Sequence, residues 1–244
     1  MCEAAMRVDV LELPGELGGA DRSAELFLVV DVLRASSTML TAFANGCEGV
    51  IAVAEPHEAF ALRAGRPELV CAGERGGRMI EGFDLGNSPF EMTREAVGGR
   101  TLVQCSTNGT GAIVASRAGA ATLVAGFVNA SAAAASAQAS GRDVTVLCSG
   151  KLGAPALEDL VCAGLLVEKL RDATGPSDVL LSLRAAEAQA AYALHRDDLA
   201  AMLAGCEHGR YLISIGMGRD VPYCAQVDLF DLVPELREGV LRSG

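Results

Sequence analysis

The sequence predicts an α/β protein, a three-layer α/β/α architecture around a mostly parallel or mixed central sheet. Three observations carry that expectation. First, short apolar or β-branched runs alternate with helix-length segments along nearly the whole chain. Second, one unit recurs three times, a strand, a loop of small polar residues and then a helix. Its copies run from Leu26 to Val30 into Asp31-Val32-Leu33-Arg34, from Thr101 to Gln104 into Cys105 to Gly111, and from Val144 to Leu147 into Cys148-Ser149-Gly150-Lys151. Third, the chain is 244 residues long and 50% apolar, enough to bury a substantial core. The first two copies also align loosely beyond their helices, which is compatible with an internal repeat of strand-loop-helix units. No linker interrupts the pattern, so a single domain over residues 1–244 is expected.

In chain order, Arg7 to Leu11 reads as a first strand and Pro14 to Arg22 as a glycine-rich turn. Leu26 to Val30 is a buried strand, and an apolar helix follows from Ala35 to Asn45-Gly46. Val50 to Ala54 is a short strand, and Pro56 suits the first turn of a helix that Gly65-Arg66-Pro67 ends. Leu69 to Ala72 is the next strand. The segment from Gly73 to Asn87 mixes charge and glycine without a period and reads as a long loop, a type that is often functional. Ser88-Pro89-Phe90-Glu91 has capping-box residues and should open a helix. After the Thr101 unit come a strand from Ala121 to Val124 and an alanine-rich helix from Asn129 to Ala139. The C-terminal third reads as mostly helical, with Ser182 to Leu194 and Leu199 to Ala204 clearest. Val221-Pro222-Tyr223-Cys224 and Leu232-Val233-Pro234 read as short closing segments.

Composition narrows the function. With 20 Lys plus Arg against 31 Asp plus Glu, the net charge of −11 argues against sequence-independent binding to nucleic acid or an anionic membrane. The 8 cysteines are scattered with no C-x-x-C pair, which points to reduced thiols in a cytoplasmic protein. An acid, Glu3, stands where a signal peptide would be basic, and no apolar run approaches the roughly 18 residues of a spanning helix. The order of a nucleoside triphosphate loop is absent, and Val114 breaks a dinucleotide fingerprint at Gly109-Thr110-Gly111. Gly111 and Ala154 stand where a cysteine phosphatase would need arginine after Cys105 or Cys148. His57, His195 and His208 have no metal-pair spacing and read as surface or helix residues.

The candidate site lies where the strands end. Asp31 follows an apolar strand and should stand at its C-terminal tip near the crevice, as a structural helix cap or as a functional carboxylate. Arg34 offers a planar fork for phosphate, sulfonate or carboxylate, or an ion pair with an acid. Glu74, Arg75, Asp84 and Asn87 share the irregular segment, while Thr107, Asn108, Gly109 and Thr110 form a small polar turn before a helix, the type of loop that cradles anions. Glu158 and Asp159 open the helix of the third unit, where negative charge suits the helix dipole and where oxygen ligands for Mg²⁺ are also available. Lys151 and Arg78 could add positive charge nearby.

Taken in order, these segments resemble the 2-phosphosulfolactate phosphatase family of coenzyme M biosynthesis. The matching residues are Val30 to Ser37, Gly73 to Gly77, Glu81 to Pro89, Ser106 to Thr110, Glu158 to Gly164 and a tail at Val221 to Cys224. The likeness covers nearly the whole chain. Ala156 stands where the pattern has a serine, a change expected to remove a substrate hydrogen bond, and Cys105 stands for a threonine. The resemblance implies a Mg²⁺-dependent phosphatase that converts 2-phospho-3-sulfolactate to sulfolactate and phosphate. The expected catalytic residues are Asp31, Arg34, Glu74, Arg75 and Asp84, with Asn87, Thr107, Asn108, Gly109 and Thr110 binding substrate and Glu158 and Asp159 holding the metal. Another phosphorylated hydroxy acid as substrate, or a non-catalytic anion-binding role, are the alternatives. The expected partner is a small anionic substrate, with neither nucleic acid nor membrane, and a homo-oligomer is allowed.

Overall fold

The computed structural model describes residues 5–18 and 21–243. The residues read against a leader, Met1 to Ala4, and Gly19-Ala20 of the glycine-rich turn lie outside the described residues.

Two blocks of parallel strands form the sheet. The larger contains β1 (Met6–Leu11), β2 (Leu26–Val30), β7 (Ala121–Ala125), β8 (Val144–Cys148) and β9 (Val179–Leu181), in the order β7-β2-β8-β1-β9. The smaller contains β3 (Gly49–Val53), β4 (Val70–Arg75) and β6 (Thr101–Cys105), in the order β4-β6-β3, with the two-residue β5 (Arg78–Met79) turned antiparallel onto β4. Between the blocks lies a C-terminal hairpin, β10 (Pro234–Arg237) and β11 (Val240–Ser243). It joins them by antiparallel pairs at Glu235↔Leu123 and Leu241↔Val50. The segment near Pro234, read as a closing stretch, is therefore an interior part of an eleven-stranded mixed sheet.

The alternation of side chains along the strands builds three layers. Leu26, Leu28 and Val30 of β2 face a core shared with α5 (Ala130–Ala139), α6 (Leu157–Thr174) and α7 (Leu183–His195). Phe27 and Val29 face the opposite core, with α1 (Ala35–Ala44) and α4 (Gly109–Ala115). Each such fully buried side chain contributes about 1.5–3 kcal/mol. The third cluster lies beneath α2 (Pro56–Gly65), where Ala59 meets Cys71, Val103 and Cys105. Helix α1 is buried from Ala35 to Phe43, and its polar residues are satisfied, Thr41 Oγ1 donating to the Ser37 carbonyl at 2.7 Å and Thr38 Oγ1 to the Asn87 carbonyl at 3.0 Å. The small residues of α5 and α6 permit close packing. A Cβ at Gly164 of α6 would meet the backbone carbonyl of Ala188 in α7, so only glycine allows that approach.

Two local readings change. The segment from Gly73 is not all loop: β4 continues to Arg75, turns at Gly76-Gly77 and returns as β5, pairing Glu74↔Met79 and Arg75↔Arg78. At Ser88 the capping box forms, but it opens only a 3-10 turn, Pro89–Glu91, because Thr93 immediately caps the separate short helix α3 (Arg94–Val97). The chain completes itself with α8 (Leu199–Gly205), α9 (Glu207–Ser214) and α10 (Asp220–Cys224). The seven described cysteines, from Cys47 to Cys224, are all free and buried. Among the described residues no helix is long and apolar enough to cross a membrane.

Candidate active site

The loops that follow β2, β4, β6 and β8 meet at one cavity of about 210 Å³, closed on its far side by α9. Asp31 enters it from the end of β2. Its Oδ1 accepts the Ala35 N–H at 3.1 Å, so the carboxylate holds the first residue of α1 while also lining the cavity. Gly109 packs directly behind it, and a Cβ there would stand 2.5 Å from Asp31 Oδ2 and 2.8 Å from the Ala35 Cβ. A side chain at 109 would displace Asp31. Gly109 thus acts through packing, and it is not itself among the residues lining the cavity.

Glu74 is buried and ties two loops together. Its Oε2 accepts the Gly77 N–H and its Oε1 the Thr107 N–H, both at 2.7 Å. The turn after β6 therefore gives one of its amides to a carboxylate, and Thr110 N–H goes to Ser106 Oγ at 3.1 Å, which leaves less of an anion cradle than the sequence offered. What the cavity gains instead is side-chain donors. Thr107 Oγ1 is buried without a protein partner among the described residues. Asn87 lines the cavity while its Oδ1 accepts from Gln104 Nε2 at 2.9 Å, and Asn108 Oδ1 fixes the facing loop through the Leu152 N–H at 3.0 Å.

The arginines serve the frame. Arg34 is 3% exposed, with Nη1 2.6 Å from Asp220 Oδ2 and Nη2 2.9 Å from the Gly77 carbonyl, so its fork is engaged by the protein although it borders the cavity. Arg75 points elsewhere, donating to the carbonyls of Ala54 and Glu74, and it does not line the cavity. Asp84 also lies outside, 3.1 Å from Arg63 and accepting the Cys71 N–H. Positive charge at the cavity comes from Lys151, which reaches the exposed Glu207 at 2.7 Å.

Glu158 and Asp159 support the cavity from behind. Asp159 gives one oxygen to the Val32 N–H at 2.9 Å and the other to the Gly150 N–H at 3.1 Å, stitching the loops after β2 and β8. Glu158 Oε1 is 3.1 Å from His208 Nδ1, and His208 does line the cavity. Nothing local in the sequence marked His208, which lies 50 residues from its partner and has no metal-like spacing. Asp220 was also missed, although it directly precedes the tail at Val221.

These carboxylates share a strained electrostatic setting. Burial, with Glu74 and Glu158 adding to it and His208 opposing, pushes the Asp31 carboxyl up to about 6. Burial and then the charges of Asp31 and Glu158 push Asp159 well above the usual carboxylate range. Burial is the strongest influence on Glu158 and acts in the same direction, but the hydrogen bond and charge of His208, its own backbone amide and Cys206 together outweigh it and leave that carboxyl below its ordinary value.

A model of the 2-phosphosulpholactate phosphatase family matches residues 13–239. The chain belongs to this family. It is 34% identical to a probable 2-phosphosulfolactate phosphatase of Caldanaerobacter subterraneus over 98% of both chains. The corresponding probable enzyme of Carboxydothermus hydrogenoformans is 38% identical over 97% of this chain and 96% of its own, and that of Gloeobacter violaceus 38% identical over 89% and 91%. The family is one of phosphatases, so the enzyme class expected from the sequence holds.

The two departures from the family pattern acquire places in this fold. Cys105 is fully buried at the end of β6, its Sγ 3.5 Å from the Ala54 carbonyl, away from the cavity lining. Ala156 is the N-cap of α6 and offers no side-chain cap, and it too lies outside the lining of the main cavity. Restoring the serine should therefore act on the helix. Ala156→Ser is expected to raise stability by about 0.5–2 kcal/mol with kcat unchanged, measured by urea unfolding and steady-state assay.

Proposed function

We propose that this phosphatase hydrolyses the phosphate ester of 2-phospho-3-sulfolactate to sulfolactate and inorganic phosphate, in the cytoplasm, as a step of coenzyme M synthesis. The observation that carries the reading is convergence. Asp31, Glu74, Asn87, Thr107 and Asn108, drawn from the ends of β2 and β4, the segment before Ser88 and the turn after β6, line one cavity whose volume of about 210 Å³ suits a compact metabolite. The buried Thr107 hydroxyl without a partner is a group that a bound phosphoester would satisfy.

The donor set fits a divalent cation. Asp31, Glu74, Glu158 and Asp159 are all buried, and the nearby Arg34 is engaged by Asp220, which leaves an excess of negative charge. Among the described residues no group of three or more His, Cys, Asp or Glu forms a ready metal cage. Mg²⁺ suits such a place, since it takes one or two carboxylates and completes its shell with waters and substrate oxygens. Asp31 and Glu74, which face the cavity, would hold it, with Glu158 and Asp159 adding charge behind them. Bound there, Mg²⁺ would neutralise charge on the phosphoryl oxygens. Asp31, whose carboxyl is raised to about 6 by burial, would orient the attacking water or accept its proton. Lys151, Asn87 and the Thr107 hydroxyl would hold the substrate's oxygens. Single-turnover hydrolysis in ¹⁸O-labelled water would separate direct attack from an aspartyl-phosphate route.

A panel of phosphorylated hydroxy acids, assayed with Mg²⁺ and with a chelator, tests the proposal. We expect the highest kcat/KM on 2-phospho-3-sulfolactate and loss of turnover on chelation. A preference for an unrelated ester would reject the substrate, and full activity in the chelator would reject the metal.

A further inference from the structure

Among the groups lining the cavity, His208 is marked by no sequence motif and absorbed by no role above. It stands in the first turn of α9, on the wall shared by the main cavity and a second open hollow bordered by Ala156, Leu157 and Arg210. Its side chain is 15% exposed, and its partner Glu158 is 3% exposed. The two meet through Nδ1 and Oε1 at 3.1 Å. Among the described residues the ring's hydrogen bond runs through Nδ1 and none runs through Nε2.

This is an oriented imidazole. With a carboxylate oxygen as its partner, Nδ1 is read as the donor and Oε1 as the acceptor, which leaves Nε2 as the free edge of the ring. The contact fixes the ring and leaves Nε2 unengaged, the arrangement in which a carboxylate orients a histidine for proton transfer. The carboxylates at the cavity cannot do this work equally well. Asp159 has both oxygens on backbone amides, Glu74 likewise, and Asp31 is assigned to the attacking side. The ester oxygen that leaves phosphorus is an alkoxide of a hydroxy acid, a poor leaving group without a proton. His208 is the cavity residue with an unused edge and a positioning partner.

We propose that His208 is the general acid of the reaction, delivering the Nε2 proton to the departing ester oxygen, and that Glu158 is its positioning residue. This rests on reading the cavity as the phosphatase site. In the step, the water oxygen bonds to phosphorus and the phosphorus–ester oxygen bond breaks with its electron pair on oxygen. That oxygen takes the Nε2 proton and becomes the hydroxyl of the hydroxy acid. The proton released by the attacking water passes to solvent by way of Asp31, and the imidazole regains one from solvent, so the sum is one ester plus one water giving one alcohol and one phosphate.

The test compares His208→Asn, His208→Gln and Glu158→Gln with wild type on 2-phospho-3-sulfolactate and on the rest of the panel. The Asn variant keeps a donor where Nδ1 lies, and the Gln variant keeps a donor near Nε2, but neither can transfer a proton as an acid. Both are expected to lose about 10²–10⁴-fold in kcat, with KM within about three-fold of wild type and an unchanged thermal midpoint. Glu158→Gln is expected to lose less, because the ring remains while its orientation weakens. A kcat in either His208 variant within about ten-fold of wild type would overturn the inference, as would a loss carried by KM. A wild type that turns over no ester in the panel would take down the phosphatase reading and this inference together, whereas an active wild type with active His208 variants removes the inference alone.

Discussion

Asp31→Asn should yield a protein that is inactive yet more stable than the wild type above about pH 6. The sign follows from the direction of the shift. An Asp31 carboxyl raised from 3.8 to about 6 binds a proton more tightly in the folded state than in the unfolded one. Its favourable contribution is complete below the unfolded value and is lost as pH rises through the folded one. The amide cannot ionise, and its oxygen can still accept the Ala35 N–H that Asp31 Oδ1 accepts. Urea unfolding in a chelator should therefore show the two proteins close together near pH 4 and separating by about 1–3 kcal/mol by pH 7, the variant being the more stable. Turnover should fall by roughly 10³-fold or more, since the cavity loses the carboxyl assigned to the attacking water. Equal stabilities at both pH values would show that Asp31 carries no such penalty, and retained turnover would remove it from the chemistry.

Asp220→Ala is expected to have the largest effect on folding. The pair it forms with Arg34 is almost wholly buried, at 0% and 3% side-chain exposure, and the same carboxylate accepts from Ser88 Oγ at 2.8 Å. Removing one partner strands a guanidinium away from water, which costs about 3–5 kcal/mol. For a chain of this length that is a drop of roughly 6–20 °C in thermal midpoint. Activity should fall as well, because Arg34 also braces the Gly77 carbonyl, and the Gly77 N–H in turn holds Glu74. The double replacement Arg34→Met with Asp220→Leu removes the stranded charge and should recover most of the midpoint but little of the turnover. A single variant that melts with the wild type would refute this account of the pair.

Much of the architecture was legible because strands and helices here announce themselves locally. The run from Leu26 to Val30 is apolar on both faces because both faces are buried, and Pro56 stands at the start of α2 where its missing N–H has no consequence. The hairpin β10–β11 was not legible. Its residues touch the neighbouring strands at the pairs Glu235↔Leu123 and Leu241↔Val50, across more than 100 residues of chain, and no local pattern encodes such partners. The segment after Gly73 misled for a related reason, since two glycines and several charges look like loop whether or not the flanking residues pair.

The site divides in the same way. Asp31, at the tip of an apolar strand, and the small turn from Thr107 to Gly109 could be picked out from residue type and position, and the family followed from their order along the chain. Which way each charged side chain turns could not. Arg34 and Arg75 looked alike as anion binders, but Asp220 holds the one at the cavity edge and the carbonyls of Ala54 and Glu74 draw the other away. His208 shows the converse, an unremarkable helix residue in sequence that the packing of α9 brings against Glu158. The sequence by itself determined the fold class, the strand-end loops and the family, because those depend on local periodicity and on motif order. The tertiary structure alone decided which charges are spent on one another and which still face the cavity, because a charge is satisfied by whatever lies within a few ångströms of it, however distant along the chain.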